Sequence, residues 1–216
     1  MKEIRLFSYK MTHDNGFAPN PFHGFMTLAN CKPYFRKYKK VNDWIAGFTS
    51  KKLNNEIQGE EKLVYLMKVT RKVTYEEYWN NPEYKCKKPI NHSLILENKA
   101  GDNIYKPNKE LASGFEKITF YNHLEDYLTT IDLSGQNVLI SEYFYYFGGN
   151  PISIPEEFKP DVPKSQSAHG KRTYNIDKIS LLLNYLESKY SMGIINLPLD
   201  WPEVNINESV TCKKCK

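Results

Sequence analysis

Two histidines, a carboxylate and two side-chain amides crowd one short stretch, Thr12 to Gly24 (THDNGFAPNPFHG), in company with two phenylalanines. Imidazoles and carboxylates move protons or hold metals. The spacing of His13, Asp14 and His23 fits no familiar ligand pattern, so no metal is expected. Recognition of a nucleobase fits these types better, because Asn and Asp read base edges while Phe stacks. A turn network whose side chains serve only the local backbone is the competing reading. His13, Asp14 and Phe22 are expected to face one cavity with Trp44 within reach. Phe17, Asn20, Phe22, His23, Asp43 and Trp44 are then nucleotide contacts. If the site is catalytic, His13 or Asp14 is the general acid or base, Asp102 its partner and Lys171 an electrostatic stabiliser.

Charge is concentrated in two further places. The segment Lys32 to Lys40 (KPYFRKYKK) holds five basic residues and no acid, interleaved with Tyr34, Phe35 and Tyr38. Cations beside stacking rings are what single-stranded or extruded nucleotides require, and Lys32 is included among the candidate contacts. A solvated helix or loop face is the alternative. The compact run His169-Gly170-Lys171-Arg172 suits phosphate. The net charge of +5 is too mild to demand a polynucleotide by itself. Cys212 and Cys215 form half of a zinc knuckle, and with only Cys31 and Cys86 as further thiols they read as part of a tail. Phosphate-cradling and dinucleotide-binding glycine loops, HExxH and GxSxG are all missing, which argues against the enzyme classes they mark. No cofactor is indicated.

These residues need a scaffold. Glu3 to Lys10, Asp43 to Phe48, Leu63 to Val73 and Asn137 to Phe147 read as strands, the last two as long continuous ones. The stretch from Gly101 to Tyr105 is a turn entering another. Thr74 with Glu77 forms a capping box opening a helical turn that stops before Pro82. Only Asp177 to Tyr190 shows a clear helical stripe, closed by Gly193. Scattered strands with one good late helix imply an α+β fold, its sheet mixed and mostly antiparallel with a few helices. An aromatic content of 14% agrees with much sheet. One domain over 1–202 and a tail over 203–216 are expected. No apolar run reaches the ~20 residues of a membrane span, nor does the start resemble a signal peptide, so a cytoplasmic protein without disulfides is expected.

FSYKMTHDNGFAPNPFHGFMTLANCKP, VNDWIAGF, LVYLMKVTRKVTYEEYWNNPEY, GDNIY, NVLISEYFYYFGG, SAHGKR and GIINLPLDW, in that order, resemble the bacterial and phage family called nucleotide modification associated domain, type two. The likeness runs from about Arg5 to Trp201, and its first motif is the most specific. It implies a link to modified nucleotides and DNA, without an assigned chemistry. Where the family usually has GDW, this chain has Asn42-Asp43-Trp44, and Asn tolerates the positive φ that such a turn needs. NDWIAGF followed by LVYLMKV is also similar to PUA-like base-recognition modules, which implies a partly barrel-shaped sheet. The implied function is recognition of a nucleotide or modified base, with a nucleotide or nucleic acid as partner. An enzyme acting on such a base, or a phage-defence protein binding a signalling nucleotide or a protein partner, are the alternatives.

Overall fold

The computed structural model describes residues 4–118 and 127–200. In chain order the elements are β1 (Arg5–Lys10), β2 (Met26–Leu28), α1 (Pro33–Tyr38), β3 (Asp43–Phe48), α2 (Lys51–Asn54), β4 (Leu63–Lys68), β5 (Arg71–Thr74) and α3 (Tyr75–Asn80). They continue with a 3-10 helix (Pro82–Lys87), α4 (Leu96–Lys99), β6 (Tyr105–Pro107), β7 (Phe115–Lys117), α5 (Tyr127–Leu133), β8 (Asn137–Ser141) and β9 (Tyr143–Tyr146). β10 (Lys171–Thr173), α6 (Ile176–Lys189) and β11 (Gly193–Ile194) complete the order.

Six strands form a sheet in the order β10-β1-β3-β4-β9-β11, three form a second in the order β2-β8-β5, and β6 pairs with β7. Pairing is antiparallel except between β1 and β3 and between β9 and β11. The fold is therefore α+β and mostly antiparallel, as the strand pattern implies. The large sheet is open, with β10 and β11 at its edges, and does not close into the barrel that the PUA-like analogy suggests.

Two expected strands are broken. Leu63 to Val73 supplies β4 to the large sheet and β5 to the small one, and Asn137 to Phe147 likewise supplies β8 and β9. At the first corner the Val69 N–H bonds to Asp43 of the large sheet, and the next N–H, from Thr70, bonds to Ile140 of the small one. At the second, the Ser141 hydroxyl donates to the Tyr143 carbonyl at 2.7 Å and pins the bend at Glu142. Neither corner carries Gly or Pro, so both halves read as one strand in the sequence.

Apolar residues on both faces of the large sheet follow from its layers. Tyr9, Ile45, Tyr65, Met67, Phe144 and Tyr146 pack on Met26, Leu28 and Leu139 of the small sheet. Leu6, Trp44, Ala46, Leu66 and Tyr145 pack on Ile179, Leu182 and Leu186 of α6, the apolar stripe seen in the sequence. A third cluster sets Phe17, Tyr75, Tyr78, Tyr84 and Ile104 against the outer face of the small sheet. The capping box at Thr74 and Glu77 is formed as expected. Asn42 has φ 76°, so Asn serves at the turn where the family pattern places Gly. The tail from 203 and its Cys212–Cys215 pair lie outside the described residues.

Candidate nucleotide cleft

The loop that follows β1 holds four of its candidate residues in the interior. Asp14 is 1% exposed. Its Oδ1 accepts from the Tyr146 hydroxyl at 2.5 Å and its Oδ2 from the Leu199 N–H at 3.1 Å. Burial raises its carboxyl to about 6, against the opposing pull of those two hydrogen bonds. Asn20 donates to the Ala100 carbonyl at 2.8 Å, and its Oδ1 accepts from Lys87 Nζ at 2.7 Å. Lys87 is itself fully buried and also donates to the Asn20, Phe22 and Phe25 carbonyls at 2.8–3.1 Å. Burial lowers its ammonium to about 8. Phe17 and Phe22 are buried. His23 is half-buried with φ 63°, and burial, then the charge of Lys87, lowers its pKa.

His13, Asp14 and Phe22 consequently do not meet Trp44 in one cavity. The Asp14 carboxyl reaches Tyr146 on the small-sheet face of the large sheet, whereas Trp44 packs toward α6, edge-on to Tyr143. His13 is exposed, with Nε2 3.0 Å from Lys52 Nζ. Asp102 is buried elsewhere, accepting from the Thr27 hydroxyl at 2.6 Å and the Tyr78 hydroxyl at 2.7 Å. The suggested acid, base and partner have separate surroundings and share no hydrogen bond. Asp43 clamps the start of β3, accepting from Arg5 Nε at 2.7 Å and from the Lys40 N–H at 2.8 Å.

The structure brings together the other two basic segments. Tyr34 and His169 lie edge to face with centroids 3.8 Å apart. Gly170 lets the basic loop lie against α1: it has φ 69°, and a Cβ there would fall 2.5 Å from the Phe35 ring and 2.7 Å from the Ser8 carbonyl. Between them opens a cleft of 430 Å³, a size that suits a nucleotide. Cys31, Lys32 and Pro33 line one side, Gln166, Ser167 and Ala168 another, Leu128, Ile131 and Asp132 of α5 a third, and Thr12 completes it. Cys31 and Lys32 both take left-handed backbone, φ 55° and 41°, which turns the chain sharply into α1. Lys32 Nζ lies 4.4 Å from the centre of the Tyr9 ring, and burial lowers its pKa. Tyr9 in turn shares a 2.8 Å hydroxyl pair with Tyr65.

Asp132 and Arg36 fix the cleft wall. Asp132 Oδ1 accepts from the Cys31 N–H at 2.6 Å and Oδ2 from the Tyr105 hydroxyl at 3.0 Å. Arg36, fully buried, donates to the Cys31 carbonyl at 2.7 Å, the Asp132 carbonyl at 2.7 Å and the Asn137 carbonyl at 3.1 Å. The basic segment thus divides in two. Arg36 is interior, and Lys39 is buried over the Phe7 ring at 3.5 Å, where burial lowers it to about 8. Lys37, Tyr38 and Lys40 are exposed. Lys171 opens onto a different cleft, and Arg172 lies 4.7 Å over the Tyr174 ring.

The sequence model of the nucleotide modification associated domain 2 family matches residues 3–205. The chain belongs to that family. No curated protein and no solved structure matches it. The family's name connects the fold with nucleotide modification. Among the described residues no three His, Cys, Asp or Glu side chains are grouped so as to hold a metal ion, and no helix is long and apolar enough to cross a membrane. Nothing in the sequence singles out Thr12, Asp132, Gln166 or Ser167 as cleft residues. Gln166 and Ser167 sit in the polar run before His169, but the pairing of that run with α1 depends on Gly170, which carries no such label in the sequence.

Proposed function

We propose that this family member recognises a nucleotide or modified base, held in the cleft between the start of α1, the 166–168 loop and α5. The observation that carries the reading is convergence. Lys32 and the neutral polar groups of Thr12, Gln166 and Ser167 come from three distant segments and meet around one opening, and the Tyr34–His169 ring contact joins two of those segments. Pro33, Leu128, Ile131 and Ala168 supply an apolar lining for a base. Lys32 supplies a cation for phosphate or for a base carbonyl. Gln166, Ser167 and Thr12 can each donate and accept, which suits the edge of a base. The family's tie to nucleotide modification agrees with such a ligand.

Isothermal titration with a panel of nucleoside monophosphates, modified bases and short single strands tests this. At least one member binds, and Lys32→Gln weakens it about tenfold while leaving the unfolding transition in place. Failure of every member to bind below about 1 mM contradicts the reading.

A further inference from the structure

A second cleft, of 460 Å³, lies across the 164–170 loop from the first, between β10, the start of α6 and the proline-rich segment before β10. Lys159, Lys164, Lys171 and Lys178 all line it. They come from an irregular segment, an edge strand and the first turn of a helix, so no local repeat groups them. From these placements we infer that the cleft is a phosphate-binding site, taking the phosphates of a free polyphosphate ligand or of a nucleic-acid backbone.

The balance of charge supports this. Glu61, 5% exposed at the cleft floor, is committed to Lys10 Nζ at 2.7 Å and Lys159 Nζ at 3.5 Å. Burial works to raise its carboxyl, but the hydrogen bonds from Lys10 and from the Gly59 N–H hold it down at about 2, so it stays ionised and offsets one of the two positive charges beside it. Lys164, Lys171 and Lys178 make no ion pair among the described residues. Glu156 and Asp161 are exposed, where solvent screens them. Lys164 and Lys171 are exposed and screened in the same way, and around the cleft the four lysines outnumber the three acids, so the balance of its lining favours an anion. Ammonium groups act as point charges and suit phosphate oxygens without a fixed approach direction.

One feature preorganises the site. Pro160 and Pro163 form part of its wall and restrict the backbone that carries Lys159 and Lys164, so less ordering remains to be done on binding.

The test follows the lysine Hε–Cε signals of the full chain by NMR during separate additions of tripolyphosphate and a short single-stranded oligonucleotide, with calorimetry on Lys171→Gln/Lys178→Gln. Movement of the Lys164, Lys171 and Lys178 signals with saturable tripolyphosphate binding, at least about tenfold weaker in the double variant, supports a free phosphate ligand. Movement with the oligonucleotide alone, and a log–log salt slope smaller by ~0.7 per lysine removed, supports the backbone as source. Signals that respond to neither, or an unchanged affinity in the double variant, overturn the site. Lys32→Gln leaves the tripolyphosphate binding intact; a loss there as large as in the double variant would overturn the assignment to this cleft. The two clefts thereby stand or fall separately.

Discussion

The loop after β1 and the surface between α1 and β10 are made of the same residue types, yet the fold puts them to different use. In the loop, Asp14, Asn20 and Phe22 are buried, and the polar groups bond to Tyr146, Lys87, Ala100 and Leu199 on other elements. Around α1, Lys32, Gln166 and Ser167 stay partly open and border a cleft, next to the Tyr34–His169 ring contact. Polar groups beside rings are what a binding pocket needs and also what an irregular buried segment needs, because every buried N–H and C=O must find a partner. The difference lies in the far partners. Lys87 fills the interior of the loop with donors, whereas among the described residues no such buried cation fills the space beside Lys32.

Lys87→Met is the most severe way to break the contrast. It removes the donor shared by Asn20, Phe22 and Phe25, and the unpaired carbonyls should cost about 3–5 kcal/mol of stability. Urea unfolding measures this; a loss under about 1 kcal/mol would mean that the loop is not held by its buried cation.

Asp14 sharpens the same point through pH. Its folded value, about 6, lies above the ordinary 3.8, so the folded state favours the protonated carboxyl. The stability from this group is fully present below about pH 4 and is lost as pH rises through about 6, by roughly 2–3 kcal/mol. Asp14→Asn keeps a neutral group able to bond Tyr146 and Leu199, and should flatten this part of the stability profile. An unchanged profile in the variant would assign the dependence to another group.

Much of the scaffold was legible in the sequence. The strand at Asp43 to Phe48, the Thr74 capping box and the stripe of α6 appear where local pattern puts them, since each depends on residues within one turn or one pleat. The corners at Val69–Thr70 and Glu142 were not, because apolar alternation is equally satisfied by one long strand or by two that enter different sheets. The basic segments were legible as charge. Their meeting was not, since it rests on a close approach of Gly170 to Phe35 across more than a hundred residues of chain. Nor could sequence tell Lys39, buried over Phe7, from Lys37 and Lys40, which are exposed.

That division of the lysines gives a smaller prediction. Tyr34→Ala should weaken nucleotide binding by about 0.5–1.5 kcal/mol through loosening of the 166–168 wall, whose neighbour His169 packs on that ring, with little change in stability. Lys37→Glu/Lys40→Glu should touch only the binding of single strands, reducing the salt slope by up to ~0.7 for each phosphate no longer neutralised. Fluorescence titration over a range of salt separates the two; equal salt slopes in wild type and double variant would return these lysines to the solvent.

The central claim is that the cleft beside α1, and not the loop after β1, receives the nucleotide. Backbone amide NMR during titration with the best ligand of the panel tests it most directly. Saturable shifts at residues 31–34, 128–132 and 166–169, with residues 14–23 nearly still, are the predicted result. Shifts centred on His13, Asn20 and His23, with 31–34 and 166–169 unmoved, would contradict it.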